Sequence, residues 1–176
     1  LEQESELFPK HVEGEYYTVQ ADMYLKQGKL QQAADMLMDA IDHTKDKKTR
    51  ARLTFILAQI YEELGDGQRA MHFYTQVVKL KPEYEMEFYA RIFKALAYTG
   101  GSSEELKKEL NKMLNDDKNI DYRDQIYYAL ADIAFKEGDE ELGIEYLQLS
   151  AASSLTNTRQ KAESYLRLAN LYFDKK

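Results

Sequence analysis

Ala21-Asp22-Met23-Tyr24-Leu25-Lys26-Gln27-Gly28 is the stretch on which the fold turns, because its skeleton of alanine, tyrosine three residues on and glycine four beyond that comes back along the chain. It returns as Ala58, Tyr61 and Gly65, then as Ala131, Ala134 and Gly138, more weakly as Ala95 and Tyr98, and for a last time from Ala169 and Tyr172. With Tyr24, Tyr61, Tyr98, Ala134 and Tyr172 as markers, the intervals are 37, 37, 36 and 38 residues. After each glycine the chain continues with a small, a large and a small or medium position: Ala33, Leu37, Ala40; Ala70, Tyr74, Val77; Gly143, Leu147, Ser150. In the third copy the corresponding residues are Leu106, Leu110 and Met113, displaced by one relative to Tyr98. Small residues let two antiparallel helices approach, and large ones fill the groove opposite. The glycine ends the first helix and turns the chain into the second.

Such self-similarity resembles the tetratricopeptide repeat, whose minimal period is about 34 residues. The resemblance implies an all-α, right-handed superhelical solenoid of antiparallel helix pairs, here about four hairpins and a solitary C-terminal helix. The punctuation places nine helices at about 13–27, 30–44, 49–64, 68–80, 83–99, 103–115, 122–137, 140–155 and 158–174. Ser102 with Glu105 reads as a capping box, Asp139 as a helix start after Gly138, and Pro82 as the opening of the next helix with Glu83. The repeats then run about 14–50, 51–87, 88–121 and 122–157, with a partial copy at 158–176. Residues 1–12 are expected to be a tail or the remnant of a preceding hairpin. The last helix has an apolar face in Leu166, Ala169, Leu171 and Phe173, to be covered by a following helix or a neighbouring molecule.

Composition agrees with that architecture. The 176 residues are 44% hydrophobic, include only two prolines and eight glycines, and show no alternating β-branched run on which a sheet could form. Acidic residues outnumber basic ones by 31 to 24, interspersed, giving a net charge of −7; that disfavours nucleic acid or anionic lipid as a partner. The absence of cysteine removes disulfides, thiolate metal sites and cysteine nucleophiles. No segment approaches the roughly 18 apolar residues of a membrane span, and no signal peptide is visible. The chain is expected to be a piece of a longer protein.

Candidate chemistry is thin, so no enzyme activity, cofactor or metal is expected. His11, His43 and His72 each stand alone, and Asp39 with His43 on one helix face falls short of a zinc ligand set. Asp117, Asn119 and Asp121 open like a calcium loop, but tyrosines stand at the obligatory glycine and glutamate positions, Tyr122 and Tyr128. The serines belong to no nucleophile elbow, and Glu104, Glu105, Glu140 and Glu141 are first-turn acids that suit the helix dipole.

The fourteen tyrosines instead point to packing and to protein recognition. In a tetratricopeptide stack the concave face belongs to the first helix of each pair. Here that face would carry Thr18, Asp22 and Leu25; Arg52, Phe55, Gln59 and Glu62; Tyr89 and Ile92; Gln125, Tyr128, Asp132 and Phe135; and Leu166 and Asn170. Aromatic and aliphatic groups with a few polar anchors suit a peptide or helix groove, or else packing between successive repeats. The Lys, Asn and Arg clamp that co-chaperone members of the fold use on a C-terminal carboxylate is replaced here by Thr18, Asp22, Ile56, Tyr89 and Phe93.

Longer strings carry a narrower resemblance: KKTRARLTFILAQIYEELGD (47–66), KPEYEMEFYARI (81–92), LNDDKNIDYRDQIYYALADIAFKEGD (114–139) and TRQKAESYLRLANLYFDKK (158–176). They are similar to the large tetratricopeptide lipoproteins of Bacteroidetes, the PorW and SprE group of type IX secretion and gliding motility, and include Tyr84-Glu85-Met86-Glu87, read as loop sequence. That resemblance implies a non-enzymatic scaffold, part of a lipoprotein on the periplasmic face of the outer membrane, with secretion translocon or motor and ring components as protein partners. The alternative is a generic peptide-binding repeat module unrelated to secretion.

Overall fold

The computed structural model describes residues 12–174. Among them are nine α-helices and no strand: α1 (Glu13–Lys26), α2 (Leu30–His43), α3 (Lys47–Glu63), α4 (Gly67–Leu80), α5 (Tyr84–Leu96), α6 (Glu104–Leu114), α7 (Arg123–Lys136), α8 (Glu140–Ser153) and α9 (Thr158–Asp174). A 3-10 turn, Asp117–Tyr122, precedes α7. The expected tail or remnant at 1–12 falls, except for Val12, outside the described residues.

The glycine signature works through the backbone. Gly28, Gly65 and Gly138 adopt φ of 70°, 76° and 84°, the left-handed region that closes a helix. In each case the next amide reaches back to the marker residue: Lys29 N to the Tyr24 carbonyl at 2.9 Å, Asp66 N to Tyr61 at 2.8 Å and Asp139 N to Ala134 at 2.9 Å. This six-residue closure satisfies a carbonyl that would otherwise be orphaned at the helix end. Asp66 and Asp139 then start the following helices, their carboxylates accepting from Arg69 N (2.9 Å) and Leu142 N (3.1 Å). A glycine–aspartate pair thus ends one helix and begins the next.

The chain divides into two compact units, 1–97 and 98–176. In the first, α1 pairs with α2 and α3 with α4; α2 also packs on α3, and α5 packs on α4. The small and large positions of the repeat form its core: Ala33, Leu37, Ala40, Ala70, Tyr74 and Val77 are all buried, with Ala21, Leu57, Ala58 and Tyr61 facing them. In the second, α7 pairs with α8, α9 packs on α8, and α6 packs on α7. Leu106, Leu110, Met113, Gly143, Leu147 and Ser150 are buried there. The division falls inside the third expected hairpin, where the repeat is weakest. α5 stops at Leu96 rather than 99, and Tyr98 lies beyond it with its hydroxyl donating to the Gly101 carbonyl at 2.7 Å.

Three local readings change. The residue that starts α6 is Ser103, not Ser102, and its hydroxyl donates to the Glu137 carboxylate instead of closing a capping box with Glu105. Ser103 is buried, and this bond, followed by one from Lys107 Nζ at 3.0 Å, holds Glu137 below the usual carboxylate range. Asp117–Tyr122 form a 3-10 turn between the sixth and seventh helices, where the sequence placed no helix before residue 122. Tyr84-Glu85-Met86-Glu87 is the first turn of α5, with Met86 packed on the core, so it is helical sequence and not a loop.

Candidate protein-binding face

In the first unit, Arg52, Phe55, Gln59 and Glu62 lie along one face of α3, as their spacing dictates. Arg52, Gln59 and Glu62 are exposed and Phe55 is half-buried. The Phe55 ring lies 6.0 Å from Phe93 of α5, and Phe93 stacks on Tyr89 at 5.8 Å, forming a half-buried aromatic row across two helices. Beneath it, buried Tyr74 of α4 meets Phe55 edge-on at 5.5 Å and Phe93 at 5.9 Å. Its hydroxyl donates to Glu62 Oε2 at 2.7 Å. Burial first, then that bond and the negative charge of Glu62, push the Tyr74 phenol far above its ordinary range, so it remains a donor. Glu62 is thereby fixed at the edge of the row.

The other first-unit candidates divide. Ile92 is only 3% exposed and belongs to the core, because its side of α5 turns inward. Thr18 spends its hydroxyl on the Gly14 carbonyl (2.7 Å), and Leu25 packs against the core. Asp22 is exposed and pairs with Lys26 on its own helix at 2.7 Å.

In the second unit three of the candidates, Tyr128, Asp132 and Phe135, gather in one cluster. A Cβ on Gly143 of α8 would stand 2.7 Å from the Phe135 ring, so Phe135 of α7 is packed onto the second helix of its pair and does not point away from it. Arg167 of α9 closes the cluster: its guanidinium lies 4.7 Å from the Phe135 ring, 5.6 Å from Tyr128, and 3.0 Å from Asp132 Oδ1. Asp132 also holds Lys136 at 2.6 Å. Gln125 is half-buried in the first turn of α7, its backbone N–H donating to Asp124 Oδ1 at 2.9 Å. Leu166 and Asn170 are exposed on α9.

Sequence reasoning missed Tyr74 as the support of the row and Arg167 as the lid on Phe135, and it placed Phe93 on the face only as a residue standing where a carboxylate clamp would be. Phe93 had a signal, since it stands one helical turn after Tyr89. Arg167 had none, because it occupies the repeat position of aliphatic Ile56.

No group of three or more His, Cys, Asp or Glu among the described residues is placed to hold a metal ion. His43 Nδ1 lies 2.8 Å from the Asp39 carbonyl, not its carboxylate, and His72 Nε2 lies 2.7 Å from Gln76. His11 falls outside the described residues. Asn119 turns inward, its amide donating to the Met113 carbonyl at 2.8 Å, so the 117–121 segment does not converge on a cation. No helix among the described residues is long and apolar enough to cross a membrane.

Comparison with known families agrees with the geometry in both units. Residues 6–78 match the family described as the SusR N-terminal TPR domain, and residues 124–154 match the tetratricopeptide repeat. No curated protein matches the sequence. The chain carries tetratricopeptide repeats, a class of helical repeat that mediates protein–protein interaction and is typically non-catalytic.

Proposed function

We propose that the chain is a protein-interaction scaffold that receives a partner segment on the α3–α5 face of its first unit. The aromatic row of Phe55, Phe93 and Tyr89 carries this reading. It offers apolar contact area with little side-chain entropy to lose, and Arg52, Gln59 and the Tyr74-anchored Glu62 supply polar orientation beside it. An extended peptide or a short helix suits such a strip.

At a finer level, we read the partner as a component of the type IX secretion or gliding assembly, with this chain as part of an outer-membrane lipoprotein facing the periplasm. The strings at 47–66, 81–92, 114–139 and 158–176 support that reading through their resemblance to the PorW and SprE group. The match of residues 6–78 to a differently named family, the SusR N-terminal TPR domain, favours the second reading, a generic peptide-binding repeat module unrelated to secretion.

One experiment separates these. A photo-crosslinking residue is placed at Gln59, on the proposed face, and at Gln32, an exposed position on α2, in the protein expressed in its native cells. Adducts from Gln59 alone, reduced by Tyr89→Ala, are expected. Secretion translocon or motor components among them support the adaptor reading, and other proteins support the general module. Equal adducts from Gln59 and Gln32 overturn the α3–α5 face.

A further inference from the structure

Glu62 is an exposed carboxylate that the fold holds still. Its Oε2 accepts the hydroxyl of Tyr74 at 2.7 Å, and Tyr74 itself is fully buried. The repeat does not require this pair. The equivalent positions are Leu25 and Leu37 in the α1–α2 hairpin, and Phe135 and Leu147 in α7–α8, all packed in apolar clusters. Such an apolar pair fills the same space without seating a hydroxyl in the core and a charge above it. Of these three hairpins only α3–α4, the one that carries Phe55 of the aromatic row, replaces both residues with polar ones.

Nor does Glu62 stabilise its own helix. It stands in the last turn of α3, where the carbonyl ends disfavour a negative charge and no basic residue offsets it. Among the described residues Glu62 forms no ion pair, and Arg69, seven residues on, is held by Asp66 at 2.5 Å. One carboxylate oxygen is therefore bound by Tyr74 and the other has no partner. Because Tyr74 fixes the side chain in advance, a cation bound there loses less ordering entropy than at a free surface acid. The net charge of −7 favours the approach of a basic partner.

We propose that Glu62 is the charge-selecting anchor of the α3–α5 face: it takes one lysine or arginine side chain of a partner segment whose apolar residues lie on the ring row. This inference rests on the α3–α5 face as the binding surface and adds the sign and the place of the charge that the face selects. Phe55 precedes Glu62 by seven residues, about 10 Å along α3 at a rise of about 1.5 Å per residue. The partner's basic residue and its apolar anchor are therefore about three residues apart in an extended segment, or about seven in a helix. Tyr74 is a positioning residue, acting only through Glu62.

The probe is a phage-displayed library of random peptides of about twelve residues, long enough for either spacing. It is panned on the whole chain and counter-selected on Tyr89→Ala. Enrichment of Lys or Arg at one of the two spacings from an apolar residue is expected. One enriched peptide is then synthesised with its basic residue and with norleucine in that place, and both are titrated into each variant. Wild type is expected to favour the basic peptide about tenfold. Glu62→Gln, an isosteric change at an exposed position that still accepts from Tyr74, should abolish that preference. Tyr74→Phe, which keeps the ring and frees Glu62, should reduce it about threefold. Peptides that need Tyr89 yet bind equally well with norleucine, or keep their preference in Glu62→Gln, overturn the anchor and leave the face standing. A library with no binder surviving counter-selection overturns both.

Discussion

The hairpins α3–α4 and α7–α8 occupy equivalent places in the repeat and fill the same space with different atoms. In α3–α4 the marker position is a large ring, Tyr61, and the small position opposite is Ala70. In α7–α8 the marker has shrunk to Ala134, a ring appears one residue later as Phe135, and the small position has become Gly143. The third position of the second helix changes from Val77 to Ser150. The contact with the following helix diverges further. Tyr74 meets Phe93 of α5 ring to ring, whereas Ser150 shares a hydrogen bond of 2.8 Å with Ser164 of α9 and donates to the Asp124 carbonyl at 2.7 Å. Ser154 adds a bond to the buried Asp124 carboxylate at 2.6 Å. The repeat therefore constrains the summed volume across a helix pair and the satisfaction of every buried polar atom, not the chemistry of any one position.

The largest effect that should separate the two hairpins is Tyr74→Ala, which empties the aromatic centre of the first unit. A loss of about 3–5 kcal/mol is expected, with hydrogen exchange accelerating in α3 and α4 before the second unit. Uniform acceleration along the chain would break the comparison. Gly143→Leu comes next, at about 1–3 kcal/mol of overpacking against Phe135. Because the two positions share one volume, Phe135→Ala in the same molecule should recover part of that loss, and a double-mutant cycle by chemical denaturation measures the coupling. Additive effects would mean that the ring and the glycine do not exchange space.

The smallest effect is Tyr74→Phe, about 1 kcal/mol for the lost bond to Glu62. It also carries a signature in pH. The folded phenol titrates above its unfolded value of about 10, so its contribution is complete below that pH and is lost as pH rises from there towards the folded value. Wild-type stability is expected to fall on the alkaline side more steeply than that of Tyr74→Phe. Parallel alkaline limbs would show that Tyr74 is not held protonated.

Where the repeat is regular, the sequence is explicit. Alanine, tyrosine and glycine at fixed spacing located the helix ends around Gly28, Gly65 and Gly138, because each of those residues performs a backbone task that few others can. Legibility declines where two residues could serve one role. Ser102 and Ser103 are both plausible helix starts, and only the distant Glu137 decides between them. The candidate face was legible in α3, whose four positions lie together. It was not legible for Ile92 and Phe135, since the rotation of a helix about its axis depends on which neighbour offers room. For Phe135 that room is the missing side chain of Gly143, visible only once α7 and α8 are paired.

The left-handed closures at Gly28, Gly65 and Gly138 bear on the mirror-image chemistry of the chain. A side chain built there in the natural configuration meets no atom within 4 Å, so the objection to it is one of handedness alone. Inverting the configuration removes the objection. D-alanine introduced by chemical ligation would sit in its own preferred basin at all three positions and would restrict the unfolded chain more than glycine does. These joints are the points at which a polymer of L-residues briefly follows the rules of its enantiomer.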